Sequence, residues 1–445
     1  MQLRGYQTPC VEALRASYAR GHRAPLLTAP TGSGKTHIIA AITASAAAKG
    51  RRVLVVAHRR ELIRQASAKL TAAGVHHGII CAGFVAEPQA TVQVASVQTL
   101  ARRPNALLVP PPDLIVVDEA HHARAGQWRA LLDANPNAKL LGVTATPARL
   151  DGRGLGVTAG GCFDDLIIGP SIPQLIAEGY LAPTRIFAPP ERLDLSDVRM
   201  RGGDYDLADL ERAIGSGRIT GDCIEQYRLY ADHQPAIAFC VSVQHAAGVA
   251  QRFRDAGYRG VCVHGGTPTA ERDAAIAGLA DGSVEVLASC DLISEGLDVP
   301  AVGAVILLRP TKSLVLYMQQ VGRGMRPAPG KSALIVLDHV NNVLAHGLPD
   351  LERRWTLAGI ANDPEPISEP ARQGSGGCPR FITEEPGRLH ELTAERLAAI
   401  RRMSYGQVIH GRLTEEELAA YAAHRGYKRG WVWHRLQDQR ASARA

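Results

Sequence analysis

Residues 26–36 read LLTAPTGSGKT, and the fold turns on how they are read. The apolar PLLT at 25–28 has the composition of a buried strand, and the alanine-rich HIIAAITASAAAKG at 37–50 is helix-forming and ends on Gly50. Strand, glycine loop and helix in succession are the setting of a phosphate-binding loop. Along Pro30, Thr31, Gly32, Ser33 and Gly34, the two glycines let backbone N–H groups converge on phosphate oxygens. The helix that follows presents its positive end there. Lys35 is placed to reach a nucleotide's β- and γ-phosphates, and the Thr36 hydroxyl to ligate Mg²⁺. The usual pattern has glycine where this chain has Ala29, a departure that narrows the family without breaking the motif. The plain alternative, a glycine turn capping a helix, leaves the conjunction of lysine and threonine unexplained.

The chain is 445 residues long, enough for several domains. Hydrophobic residues make up 46% and aromatic ones 5%, so the core is expected to be mostly Ala, Val, Leu and Ile. A net charge of +7 leans toward polyanionic partners such as nucleic acid, though excess arginine is often only solvated surface. The N-terminal MQLRGYQTPC has no secretory pattern, and no apolar run is long enough to span a membrane. Eight cysteines (10, 81, 162, 223, 240, 262, 290 and 378) are scattered singly without a C-x-x-C pair. They are expected to be reduced thiols of a cytoplasmic protein, with no zinc site and no disulfide framework.

Short apolar runs alternate with helical patterns. RVLVVAH, TVQVASV, DLIVVDEAHH and KLLGVTAT form a first series, and AIAFCVSV, GVCVHGG, VEVLASC, AVILLRP and ALIVLDH a second. Such alternation predicts parallel sheets covered by helices on both faces. The α/β units are placed at 1–168 and 221–345, separated by a connector with a helical piece at 169–220. A Pro/Gly-rich linker at 346–388 and a small, mainly helical, basic tail at 389–445 follow.

LIVVDEAHH puts Asp118 and Glu119 at the carboxyl end of an apolar strand, where ligands bind in open α/β sheets. Asp118 is placed to hold Mg²⁺, directly or through water, and Glu119 to take a proton from an attacking water. A helix N-cap cluster is the alternative.

With APTGSGKT and DEAH on one chain, the sequence resembles a superfamily 2 helicase of the DEAH type, in which alanine is common at the position of Ala29. The resemblance covers about 1–345 and implies two tandem RecA-like domains of the P-loop NTPase class, with ATP and Mg²⁺ as small partners. LRGYQ resembles the Q motif, which implies that Gln7 reads the adenine edge with Arg4 stacked on or near it. VTATP resembles motif III, with Thr144 and Thr146 coupling the ATP site to nucleic-acid grip, and His121 is implied as a coupling residue too. AHRRELIRQ and ASVQTL resemble motifs Ia and Ib, which implies that Arg59, Gln98 and Thr99 face a sugar-phosphate backbone. AFCVSVQHA resembles motif IV, implying a nucleic-acid contact at Ser242, and SCDLISEGLDVP resembles motif V, with Ser289 near the polymer and Asp298 near the ribose. His264 ends a strand where relatives approach nucleic acid, although a hydrogen-bonded structural histidine fits equally well.

QQVGRGMRP matches motif VI, Q-x-x-G-R-x-x-R, with Gln319, Arg323 and Arg326. The second unit has no phosphate loop, so these arginines are implied to reach the γ-phosphate held by the first. In related hydrolases such a contact is worth a rate factor of about 10³–10⁵.

LRGYQ, SEGLDVP and QQVGRGMRP look most like bacterial and phage DNA helicases of the RadD-like repair branch. The paired cysteines frequent there after the second core domain are reduced here to Cys378. The expectation is a DNA-stimulated ATPase acting on single-stranded or forked DNA, in repair, recombination or phage biology. An RNA helicase and an ATP-gated clamp that does not unwind are the competing readings. Tyr427, Trp431 and Trp433, interleaved with the tail's arginines, suit either stacked bases or a packed helical cap.

Overall fold

A computed structural model describes residues 3–102, 110–122, 130–149, 151–189, 195, 197–214, 221–290, 299–360, 390–393, 418, 421–422, 431–432 and 434–436. Two seven-stranded sheets organise it.

The first sheet contains β1 (Pro25–Thr28), β2 (Val53–Ala57), β3 (Gly78–Ile80), β4 (Val92–Ser96), β5 (Leu114–Asp118), β6 (Lys139–Thr144) and β7 (Asp165–Ile168). The order is β3-β4-β2-β5-β6-β1-β7, and every pairing is parallel. The reason lies in the strands themselves: VLVVA in β2 and VQVAS in β4 are buried at every position, as strands covered on both faces must be. The helix Arg60–Ala72 lays Leu62, Ile63, Ala66 and Leu70 against the sheet, an amphipathic stripe at helical spacing. Each large apolar side chain so buried contributes about 1.5–3 kcal/mol.

β5, β6 and β1 are neighbours, with Thr28 paired to Thr144 and Asp118 to Val143. The segments that follow all three therefore emerge side by side at one carboxyl edge.

The second sheet has order β12-β13-β11-β14-β15-β8-β18. Its strands are β8 (Thr184–Ala188), β11 (Ala236–Phe239), β12 (Gly260–Val263), β13 (Val286–Ser289), β14 (Ala304–Leu307), β15 (Leu334–Asp338) and β18 (His390–Leu392). β18 alone is antiparallel, joined to β8 through backbone pairing and a two-pronged Arg185–Glu391 contact at 2.8 and 3.0 Å. Phe239 and Val263 both pair with Ser289, so the ends of β11, β12 and β13 form a second shared edge.

Two segments differ from expectation. The connector supplies β8 to the second sheet, beside β15. Its helical piece begins as a hairpin, β9 (Met200–Arg201) and β10 (Asp204–Tyr205), before the helix Leu207–Ile214. The hairpin follows from Gly202-Gly203, both at positive φ (63° and 91°), which is the two-residue turn that matches strand twist. In the tail, Leu418 and Tyr421 pack with Trp431, Val432 and Leu436, while Tyr427 and Trp433 lie outside the described residues.

Among the described residues the halves meet at several places, of which three bear on the site's architecture. Gly322 on the helix Leu314–Gly324 lies so close to the phosphate-loop region that a Cβ there would stand 2.7 Å from Thr31 Cβ. Arg272 meets Glu61 at 2.6 Å across the cleft. A short hairpin, β16 (Trp355–Thr356) with β17 (Gly359–Ile360), returns from the second half to the first. There Gly154 N–H donates to Ala358 O at 2.9 Å, Gly156 N–H donates to Leu357 O at 2.8 Å, and Leu357 packs on the first sheet's core.

Candidate active site

The loop after β1 has the conformation its glycines permit: Gly32 (φ 85°) and Gly34 (φ 78°) are left-handed, and Gly34 caps the helix Lys35–Ala47. Ala29 N–H donates to Thr144 O at 3.0 Å, tying the loop's start to the end of β6. Ser33 Oγ donates to Pro30 O at 2.7 Å and closes the turn. Thr36 sits in the first helical turn. Lys35 is 7% exposed, and its Nζ lies 3.5 Å from Pro30 O and 3.8 Å from Glu119 Oε1. These are long contacts, so the ammonium keeps its capacity for a closer acceptor.

Gln7 is turned onto this loop. Its Nε2 donates to Ser33 O at 3.1 Å and Gly34 O at 3.4 Å, and its Oε1 accepts from Arg4 N at 3.0 Å. Its hydrogen bonds thus hold the loop. Tyr6, which the sequence reading passed over, donates its hydroxyl to Ser33 O at 2.8 Å. Arg4 donates to the Tyr6 hydroxyl at 3.0 Å and lies 4.8 Å from the Tyr180 ring centroid. The aromatic beside Arg4 comes from 176 residues further along the chain, so no local pattern announces it.

At the end of β5, Asp118 and Glu119 are 6% and 9% exposed. Burial first, and then the adjacent Glu119, push Asp118 up to about 7, while Lys35 and Arg323 pull it down. Glu119 has φ 49°, a costly conformation for a side chain with a Cβ. It is held there between Lys35 and His121, whose Nδ1 lies 3.4 Å from Glu119 Oε2. The donor set fits Mg²⁺: Thr36 and Asp118 offer hard oxygens, and a divalent cation would draw the buried carboxyl into its charged form.

A hydrogen-bond chain crosses from one half to the other. Gln319 Nε2 lies 2.7 Å from His121 Nε2, His121 Nδ1 lies 2.7 Å from Thr144 Oγ1, and Thr144 Oγ1 donates to Thr146 O at 3.0 Å. With the glutamine amide donating, His121 accepts at Nε2 and carries its proton on Nδ1. Thr146 N–H completes the knot by donating to Thr144 Oγ1 at 3.2 Å. Arg323 is 6% exposed and close enough to Asp118 for its charge to lower that carboxyl. Arg326 reaches the loop directly, its Cγ 3.4 Å from where a Cβ on Gly32 would stand. Gln319, Arg323 and Arg326 therefore converge with Lys35, Asp118, Glu119 and His121 in one cleft. Beside it a cavity of about 90 Å³ is lined by Thr31, Thr146, Met318, Gly322 and Trp355.

The residues expected at the polymer are placed less uniformly. Arg59 precedes the helix Arg60–Ala72 in extended conformation. Gln98 is exposed and donates to His58 O at 2.8 Å, and Thr99 lies in the helix Val97–Arg102. Ser242 caps the helix Val243–Asp255 by accepting from His245 N at 3.1 Å, and its hydroxyl donates to Glu211. His264 is half-buried, and its Nδ1 accepts from Gly266 N at 3.1 Å. Ser289 is buried, and its hydroxyl has no partner among the described residues. Asp298 lies outside the described residues.

Two family models match the chain: "Type III restriction enzyme, res subunit" over residues 1–149 and "Helicase conserved C-terminal domain" over residues 221–328. With two RecA-like sheets facing one cleft, the chain belongs to the superfamily 2 helicases.

Within that class its similarities run to phage, yeast and restriction proteins. A 51.5 kDa protein of Lactococcus phage (isolate 7-9) is 38% identical over 330 residues, covering 74% of this chain and 68% of the phage protein. IRC3 of Saccharomyces cerevisiae, whose name assigns it to the ATP-dependent helicases, is 30% identical over 384 residues, 81% of this chain and 54% of that protein. A fragment of an HsdR-type subunit of a type I restriction enzyme from Vibrio vulnificus YJ016 shares the fold, with a TM-score of 0.58 at 23% identity over 78% of this chain and 65% of that one. So does the ATP-dependent Type ISP restriction-modification enzyme LlaBIII, solved bound to DNA, with a TM-score of 0.54 at 20% identity over 76% of this chain and 27% of that one. The chain thus spans about two thirds of the phage relative and about half of the yeast one.

Proposed function

We propose that this chain is a DNA-stimulated ATPase that moves on or unwinds DNA. The observation that carries the reading is the meeting of Gln319 and Arg323 with His121 and Asp118 across the two halves. A cleft of that kind is complete only when the halves are together, so nucleotide state and domain closure become one equilibrium.

In this reading Lys35 and the loop N–H groups hold the triphosphate, and Glu119 orients the attacking water and accepts its proton. Arg323 and Arg326 stabilise charge that builds on the transferred phosphoryl group. Thr36 and Asp118 would hold Mg²⁺, which when bound would supply charge neutralisation on the phosphates. The Gln319–His121–Thr144 chain gives the second half a lever on Glu119, because His121 touches Glu119 as well as Gln319. Arg4 and Tyr180 flank the base. Arg59, Gln98 and Thr99 on one half, with Ser242 and His264 on the other, are the side chains proposed to serve the polymer, whereas Ser289 is buried. DNA as the polymer is supported by the likeness to restriction-enzyme proteins, LlaBIII among them solved bound to DNA.

The test is ATP turnover with single-stranded, duplex and forked DNA and with RNA, wild type beside Glu119→Gln. DNA is expected to stimulate strongly, and the mutant to lose about 10²–10⁴-fold in turnover while ATP binding is retained. Stimulation by RNA alone would favour an RNA helicase. Equal rates with and without any polynucleotide would remove the motor reading.

A further inference from the structure

The turn that carries Arg326 is anchored from outside motif VI. The helix Leu314–Gly324 ends one residue after Arg323, and its last carbonyls have no helical partner of their own. Lys331 Nζ donates to Arg326 O at 2.8 Å, to Val302 O at 2.5 Å and to Gly324 O. Ala182 N–H donates to Met325 O at 2.7 Å, so the carbonyls of 324, 325 and 326 are each occupied. An ammonium has three hydrogens, and here it meets three carbonyls. Its positive charge also lies at the negative end of the helix. Val302, just before β14, ties this turn to the sheet, so the arginine's backbone is referenced to a rigid element.

We infer that Lys331 is a positioning residue that fixes the backbone from which Arg326 reaches the phosphate loop. This rests on the reading of Arg326 as a charge-stabilising group in ATP hydrolysis. Lys331 itself spends its ammonium on backbone carbonyls and acts through Arg326. Without the ammonium, the carbonyls of 324 and 326 lose their shared donor, and the guanidinium samples positions off the phosphoryl group. Such misplacement lowers turnover more than nucleotide affinity, because the contact matters most in the transition state.

The experiment is a double-mutant cycle on the full chain: wild type, Lys331→Met, Arg326→Ala and the double variant. It measures kcat and KM for ATP at saturating DNA, with melting temperatures alongside. Lys331→Met is expected to lower kcat about tenfold with KM within about twofold, and to have little further effect once Arg326 is alanine. Lys331→Gln, whose side-chain amide keeps two N–H donors but no charge, is expected to lose less than the methionine variant and still to couple to Arg326. An equal loss of kcat from Lys331→Met in both backgrounds overturns the inference, as does unchanged kcat in Lys331→Met. If Arg326→Ala alone turns over like wild type, the arginine reading fails and the inference with it. If Arg326→Ala is impaired and no coupling is found, the lysine assignment alone fails.

Discussion

Asp118 shows what it costs a single carboxylate to be buried beside another acid. Its carboxyl is buried beside Glu119 and is pushed up to about 7, so the folded chain prefers it protonated. The sign follows directly: a raised folded value stabilises the protein below the ordinary carboxylate range, and that contribution is lost as pH rises through about 7. Asp118→Asn removes the penalty. In the absence of divalent cations the variant should therefore melt at a higher temperature than wild type at pH 8, with the difference shrinking toward pH 4. A lower melting temperature at pH 8 would contradict the burial argument. The same variant should lose Mg²⁺-dependent turnover. The meeting of Lys35 with Asp118 and Glu119 was legible from residue type and spacing within two short motifs. Tyr6, Tyr180 and Lys331 were not, because their parts depend on hydrogen bonds and ring contacts that only the folded chain brings together.

At the scale of elements, the helix Leu314–Gly324 is both a structural rod and the carrier of the second half's chemistry. It can lie against the phosphate loop only because Gly322 has no side chain, since an added Cβ would stand 2.7 Å from Thr31 Cβ and 3.1 Å from its Oγ1. Gly322→Ala should leave the fold intact, the helix interior welcoming alanine, yet force the halves apart. The expected outcome is turnover down at least about tenfold with nucleotide affinity of the first half within a few-fold, read by stopped-flow binding beside steady-state rates. Wild-type turnover would mean that the seam can yield. Strand runs such as VLVVA, LIVVD and LIVLD announced the sheets because burial on both faces demands continuous apolar residues. β3, β7, β8 and β18 escaped notice for a related reason: each is a short strand at or near a sheet margin, with partial burial and weak patterning, as in TRIFA and GII.

For the whole molecule, the two halves are joined by chemistry and by chain. The hairpin of Trp355–Ile360 straps the second half to Gly154 and Gly156, the Glu61–Arg272 pair bridges the opposite region, and the arginines enter the cleft from between. Among the described residues no helix is long and apolar enough to cross a membrane. The proposed active site is built from both halves, with the positive charge of Arg323 delivered across the gap to Asp118 beside Lys35. The most direct measurement is ATP turnover of Arg323→Ala under saturating DNA and Mg²⁺, with nucleotide affinity determined on the same protein. The account predicts a fall in kcat of about 10³–10⁵-fold with affinity changed no more than a few-fold. Turnover equal to wild type would contradict it, because the first half would then be hydrolysing ATP on its own.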